Sequence, residues 1–152
     1  MKKVVYIKNE EVQNKLNQLL SDYHIYYQNL RAFHWLVKGQ QFFMLHEKFE
    51  ELYDLAADNI DSIAERILMI GGKPLHSLED YIKHSGIKAE KNLEKSSDII
   101  PKVIANTEHL LAEYREILGI AGEAGDEGTV ALMSDFISTT EKQLWMLNSL
   151  QI

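Results

Sequence analysis

A chain of 152 residues with 45% hydrophobic side chains carries enough apolar material to bury a core and is too apolar for a disordered polymer. It contains no cysteine, which excludes disulfides, thiolate metal sites and cysteine nucleophiles. A formal charge of −7 opposes nucleic-acid binding unless basic residues are segregated, and Lys2, Lys3 and Lys8 at the N-terminus are the one such group.

The first eight residues have no apolar core long enough for a signal peptide, and no stretch approaches the roughly 18 apolar residues that cross a membrane. A cytoplasmic protein is expected. The first helix is expected over residues 11–37, where Leu16, Leu19, Leu20, Tyr23, Tyr27, Leu30, His34 and Val37 recur at spacings of three and four. Gly39 interrupts it. A second helix is expected from Phe42 to Met69, with Leu45, Phe49, Leu52, Ala56, Ile60, Ile63, Ala64 and Ile67 inward. Gly71 and Gly72 should end it, and Pro74 prevents an immediate restart.

Residues 73–96 hold Pro74, Gly86 and one short periodic piece, Leu78 to Ile82. They read as a crossover along a bundle carrying one or two helical turns. A third long helix is expected from Ser97 to Leu118, capped by Ser97 or Asp98, with Pro101 in its first turn and Ile104, Leu111, Tyr114 and Leu118 inward. Gly119 to Gly128 reads as a glycine-rich, acidic loop. The last helix starts at Glu127 or Thr129 and runs to Leu150 on Val130, Met133, Phe136, Ile137, Thr140, Leu144 and Leu147. Four long helices, a long crossover carrying a short helix and no strand define an all-α, ferritin-like four-helix bundle, one domain over residues 1–152.

Five residues have the spacing of metal ligands: His34 on the first helix, and His46, Glu50, Asp61 and Glu65 on the second. His46 and Glu50 are four apart, as are Asp61 and Glu65, so each pair projects from one helix face. Glu50 and Asp61 share that stripe but lie roughly 16 Å apart along the axis. A two-metal site needs its ions about 3.5–4 Å apart. One chain therefore offers two half-sites, His34 with His46 and Glu50, and Asp61 with Glu65. A twofold axis laying this helix antiparallel to its copy would join them, twice per dimer.

Imidazole and carboxylate ligands suit Fe, Mn or Zn. The third and fourth long helices show no Glu-x-x-His element: Glu108 adjoins His109, and Leu144 lies three residues after Glu141. Spacing alone leaves a second reading open, in which the histidines are hydrogen-bonded boundary residues and Asp54, Asp58 and Asp61 form a solvated face.

The runs Asn29-Leu30-Arg31-Ala32-Phe33-His34-Trp35-Leu36-Val37-Lys38-Gly39 and Phe42-Phe43-Met44-Leu45-His46-Glu47-Lys48-Phe49-Glu50-Glu51-Leu52-Tyr53 resemble the signature of Dps proteins, small ferritin-like proteins named for DNA binding in starved cells. The resemblance continues through Asp61-Ser62-Ile63-Ala64-Glu65-Arg66-Ile67, Gly71-Gly72-Lys73-Pro74, Gly125-Asp126-Glu127-Gly128-Thr129 and Trp145-Met146-Leu147, nearly the whole chain.

The resemblance implies a ferroxidase centre at a subunit twofold, with His34, His46 and Glu50 from one chain and Asp61 and Glu65 from its neighbour. The family often has Asp where this chain has Glu50, so a carboxylate is kept on a longer arm. It also implies Trp35 beside the centre as a redox-active neighbour, a dodecameric homo-oligomer with the short crossover helix at the dimer interface, and acidic threefold pores matched by Asp126 and Glu127. A pore acid of some members falls at Ala131 here, which leaves Asp135 or Glu123 to take its place; for Asp126 an N-cap is the other role, and the two do not exclude each other. The implied substrates are Fe(II) and hydrogen peroxide or dioxygen, with two iron ions per site, Zn or Mn as substitutes, and ferric mineral stored in the cage against oxidative damage. The alternative function is a DNA-binding, nucleoid-compacting structural protein. The lysine-rich tail that several members use for DNA has no counterpart here, so weak or absent DNA binding is expected.

Overall fold

A computed structural model describes residues 8–150 as five helices: α1 (Glu10–Leu36), α2 (Phe42–Met69), α3 (Leu78–His84), α4 (Ser96–Glu123) and α5 (Glu127–Asn148). Lys2 and Lys3 of the N-terminal basic group lie outside the described residues. There is no strand among the described residues, only an isolated bridge between Lys38 and Lys95. The four long helices form the bundle: α1 packs on α2 and α4, α4 packs on α5, and α3 lies against α1.

Each helix begins and ends for a local reason. The Asn9 side chain caps α1 by accepting from the Val12 N–H at 3.1 Å. Helix α2 ends in a Schellman motif: the Gly72 N–H reaches the Ile67 carbonyl at 2.8 Å, the Gly71 N–H reaches that of Leu68 at 3.0 Å, and Gly71 adopts the left-handed φ of +80° that the motif requires. Helix α4 closes in the same way, with Asp126 N–H to the Ala121 carbonyl at 2.9 Å and Gly125 at φ +73°.

That second motif corrects the expected loop from Gly119 to Gly128. Helix α4 continues to Glu123, because Ile117 and Ala121 are buried and hold the extra turns down despite Gly119 and Gly122. Only residues 124–126 link α4 to α5. The start of α4 also differs: its N-cap is Lys95, without a side-chain cap, and Pro101 sits at the sixth helical position rather than in the first turn. Ser97, whose carbonyl loses its helical partner to the proline, is an exposed residue, which limits the cost of the missing bond.

The core runs the length of the bundle. Leu16, Leu19, Leu20, Tyr23 and Leu30 of α1 are buried as expected, but Tyr26 and Phe33 take the place assigned to Tyr27. In α4 the buried face is Val103, Leu110, Leu111, Tyr114 and Ile117, with Ile104 and Leu118 only partly buried. Leu111 and Tyr114 are buried as expected, whereas toward the two ends of the helix Val103 and Ile117 take the inward places expected of Ile104 and Leu118, one residue or about 100° away.

A polar stripe on α1 holds the crossover in place. Gln13 donates to the Ile70 carbonyl at 3.0 Å, and Asn17 both donates to the Lys73 carbonyl at 3.1 Å and accepts from the Leu75 N–H at 2.8 Å. Gln18 donates to the His84 carbonyl at 2.7 Å. Asn29 donates to the Lys88 carbonyl and accepts from the Glu90 N–H, both at 2.9 Å. These amides satisfy backbone groups that a long irregular segment would otherwise leave unpaired.

Candidate metal centre

His34 lies in the last turn of α1 and His46 in the first turns of α2, so the short connection over residues 37–41 folds one against the other. Their rings stack with centroids 3.8 Å apart and 12° between planes. Each binds the other's backbone: His34 Nδ1 contacts the His46 carbonyl at 2.5 Å, and His46 Nδ1 contacts the His34 carbonyl at 2.7 Å. A carbonyl only accepts, so each Nδ1 carries a proton, and of the two tautomers these bonds select the one whose Nε2 lone pair is left for a metal. Histidine ligands are commonly oriented in this way, by a bond from the second ring nitrogen.

Aromatic walls fix the pair further. Phe42 stacks on His46 at 5.0 Å, and Tyr53 meets His34 edge-on at 5.4 Å. The Tyr53 hydroxyl also donates to Glu50 Oε1 at 3.3 Å, which ties the carboxylate to the same assembly. His34 is 7% exposed, His46 is half-buried and Glu50 is exposed, so the donors run from the edge of the core out to solvent. Trp35 is also exposed, and the Arg31 guanidinium lies 4.9 Å from its ring centre.

Asp61 and Glu65 are exposed further along α2 and make no hydrogen bond or ion pair among the described residues. The structure brings together His34, His46 and, through Tyr53, Glu50. It does not bring Asp61 and Glu65 to them within one chain. Asp126 takes the capping role: it is 2% exposed, accepts from the Thr129 N–H at 3.2 Å and pairs with Arg66 at 2.7 Å. Its carboxylate caps α5 and pairs with Arg66 within one chain; Glu127 and Glu123 are the exposed acids at this corner. Gly128 keeps room for Arg66, since a Cβ there would come within 2.5 Å of the guanidinium.

A cluster absent from the sequence reading also appears. Asp22, His109 and Glu113 each bring a ligand atom within 4.8 Å of the others, a grouping that His34, His46 and Glu50 do not reach within one chain. Burial works against the Asp22 charge, but hydrogen bonding with Glu113 first, then from the Gly86 N–H and His109, holds its carboxyl below the usual range. Burial, together with the neighbouring Asp22 carboxylate, pushes the Glu113 carboxyl up to about 10. His109 and Glu113 have the same four-residue spacing as His46 and Glu50, which was the available signal. Asp22 is 87 residues from His109 and is joined to it only by the fold.

The family model of the ferritin-like domain matches residues 13–151. The bundle and this match define a ferritin-like protein. A "DNA protection during starvation protein" of Porphyromonas gingivalis is 44% identical over 88% of this chain and 84% of its own length. The Bacillus anthracis "DNA protection during starvation protein 2" is 40% identical over 93% of this chain and 97% of its own. The crystal structure of the Vibrio cholerae O1 Dps protein, described as a member of a broad superfamily of ferritin-like diiron-carboxylate proteins, superposes with a TM-score of 0.91 at 39% identity, covering 97% of this chain and 98% of that one. The chain belongs to the Dps family.

Proposed function

We propose that this protein is a ferroxidase and iron-storage subunit whose reaction centre is shared between two copies of the chain. The observation that carries this reading is the His34–His46 pair. Reciprocal Nδ1–carbonyl bonds leave two Nε2 lone pairs free beside the exposed Glu50. Asp61 and Glu65 of a second copy complete the ligand set, since within one chain they lie too far along α2. Leu78 and Ile82 of α3, 74% and 70% exposed, supply apolar surface for that contact.

The substrate is Fe(II), bound by imidazole and carboxylate donors. Two ferrous ions each lose one electron to hydrogen peroxide, whose O–O bond breaks and which takes up two protons to leave water. Hydrolysis of the ferric product then yields mineral inside a closed, dodecameric cage. Zn or Mn binds the same donors without completing this cycle. Exposed acids near the start of α5, Glu127 first, draw cations toward the entrance. Trp35 stands next to His34 in sequence and takes stray oxidising equivalents.

No helix of the described residues is long and apolar enough to cross a membrane, and the proposed location is the cytoplasm. DNA binding is weak or absent on this reading, because twelve copies at −7 repel phosphate. The test is stopped-flow oxidation of Fe(II) by peroxide, comparing wild type with the His34→Ala/His46→Ala variant. Early rates should fall at least about tenfold on loss of both ligands. Equal early rates would overturn the proposal.

A further inference from the structure

We infer that Asp22, His109 and Glu113 form a second divalent-cation site, contained within a single chain and suited to a first-row transition ion such as Zn2+. His109 Nε2 lies 3.0 Å from Asp22 Oδ2 and 3.0 Å from Glu113 Oε1. One N–H cannot point at both oxygens. Ligands about 2.1 Å from a common ion are about 3.0 Å apart at right angles and about 3.4 Å apart at the tetrahedral angle, so small side-chain shifts would seat all three donors around one ion.

The donors are held as metal ligands are held. Asp22 is fully buried, and its other oxygen, Oδ1, accepts from the Gly86 N–H at 2.6 Å, the Ser85 hydroxyl at 3.0 Å and Gln18 Nε2 at 3.3 Å. This turns Oδ2 toward His109 and supplies the outer hydrogen bonds that orient a ligating carboxylate. Gly86 permits the close approach, because a Cβ there would stand 3.2 Å from His109 Cε1. Glu113 Oε2 is buried without a partner, an unfilled acceptor that a cation would satisfy. On the outer side, His109 and Glu113 line an open cleft of about 460 Å³ with Gln18, Lys15 and Glu116, which gives an ion access and room for water ligands. Lys15 pairs with Glu116 at 2.8 Å.

Such an ion would tie α1 to α4 and, through Gly86 and Ser85, to the crossover. Binding only the folded chain, it would also stabilise it. The site needs no partner copy, so it stands or falls separately from the shared centre.

Zinc bound after equilibrium dialysis is to be counted in the His34→Ala/His46→Ala background, alone and with His109→Ala or Glu113→Gln added. The background should keep one Zn2+ per chain, and each addition should weaken its binding at least about tenfold. The metal-free circular dichroism of the Glu113→Gln protein checks that the fold is kept. Zinc-edge anomalous scattering from soaked wild-type crystals should place a peak at bonding distance from His109 Nε2, a readout independent of any variant's folding. No peak there, or equal zinc binding with and without His109→Ala and Glu113→Gln, overturns the inference.

Discussion

Two histidines that bond to each other's backbone need little other side-chain chemistry to be held as a pair. The carbonyls of His34 and His46 set both tautomers, and Phe42 and Tyr53 keep the rings from turning. Asp126 is an acid whose carboxylate caps α5 and pairs with Arg66. Asp126→Ala removes a cap and leaves Arg66 without its partner, at an expected cost of about 2–4 kcal/mol, whereas Asp135→Ala on the exposed face should change stability by less than about 0.5 kcal/mol. Chemical denaturation of the two variants compares them directly. Tyr23, Tyr26 and Tyr114 are buried, and burial pushes the Tyr23 hydroxyl up to about 12 from an ordinary 10.0. Below pH 10.0 both states are protonated; above it unfolded tyrosines lose protons that the folded chain keeps, so stability falls as pH climbs toward 12. Thermal midpoints at about pH 9 and about pH 11 should show the drop, and Tyr23→Phe should reduce it.

Helix α4 and the crossover are elements whose limits depend on their neighbours. Gly119 lies inside α4 with nothing within 4 Å of a built Cβ, while Gly125 occupies a left-handed position at its end. Gly119→Ala should therefore raise stability by about 0.5–1 kcal/mol, and Gly125→Ala should lower it by about 1–2 kcal/mol. The opposite signs, read from urea midpoints, distinguish a helix through residue 119 from the acidic loop that glycine content suggests. The α2 boundaries agree with the sequence reading, because Gly71-Gly72 is a strong stop. Those of α4 do not, because burial of Ile117 and Ala121 outweighs the helix-weakening effect of two glycines.

At the scale of the whole molecule, sharing a centre between chains makes a prediction that a site within one chain does not. The His34→Ala/His46→Ala protein and the Asp61→Ala/Glu65→Ala protein should each oxidise Fe(II) slowly. Unfolded together and reassembled, they form mixed dimers in which one centre of the two is intact, so about a quarter of wild-type activity should return. No recovery, with assembly confirmed by size-exclusion chromatography, would exclude the shared centre.

The sequence by itself determined the helical class, the four long elements and the family, because amphipathic period and glycine stops are local properties of a chain, and the four-residue spacing behind the proposed ligands is local in the same sense. Tertiary structure decided the rest. The imidazole tautomers depend on carbonyls twelve residues away, the role of Asp126 on an arginine sixty residues distant, and the His109 cluster on an aspartate from another helix. Contacts between residues far apart in sequence exist only after the chain has packed, so no period or motif within a single helix could have announced them.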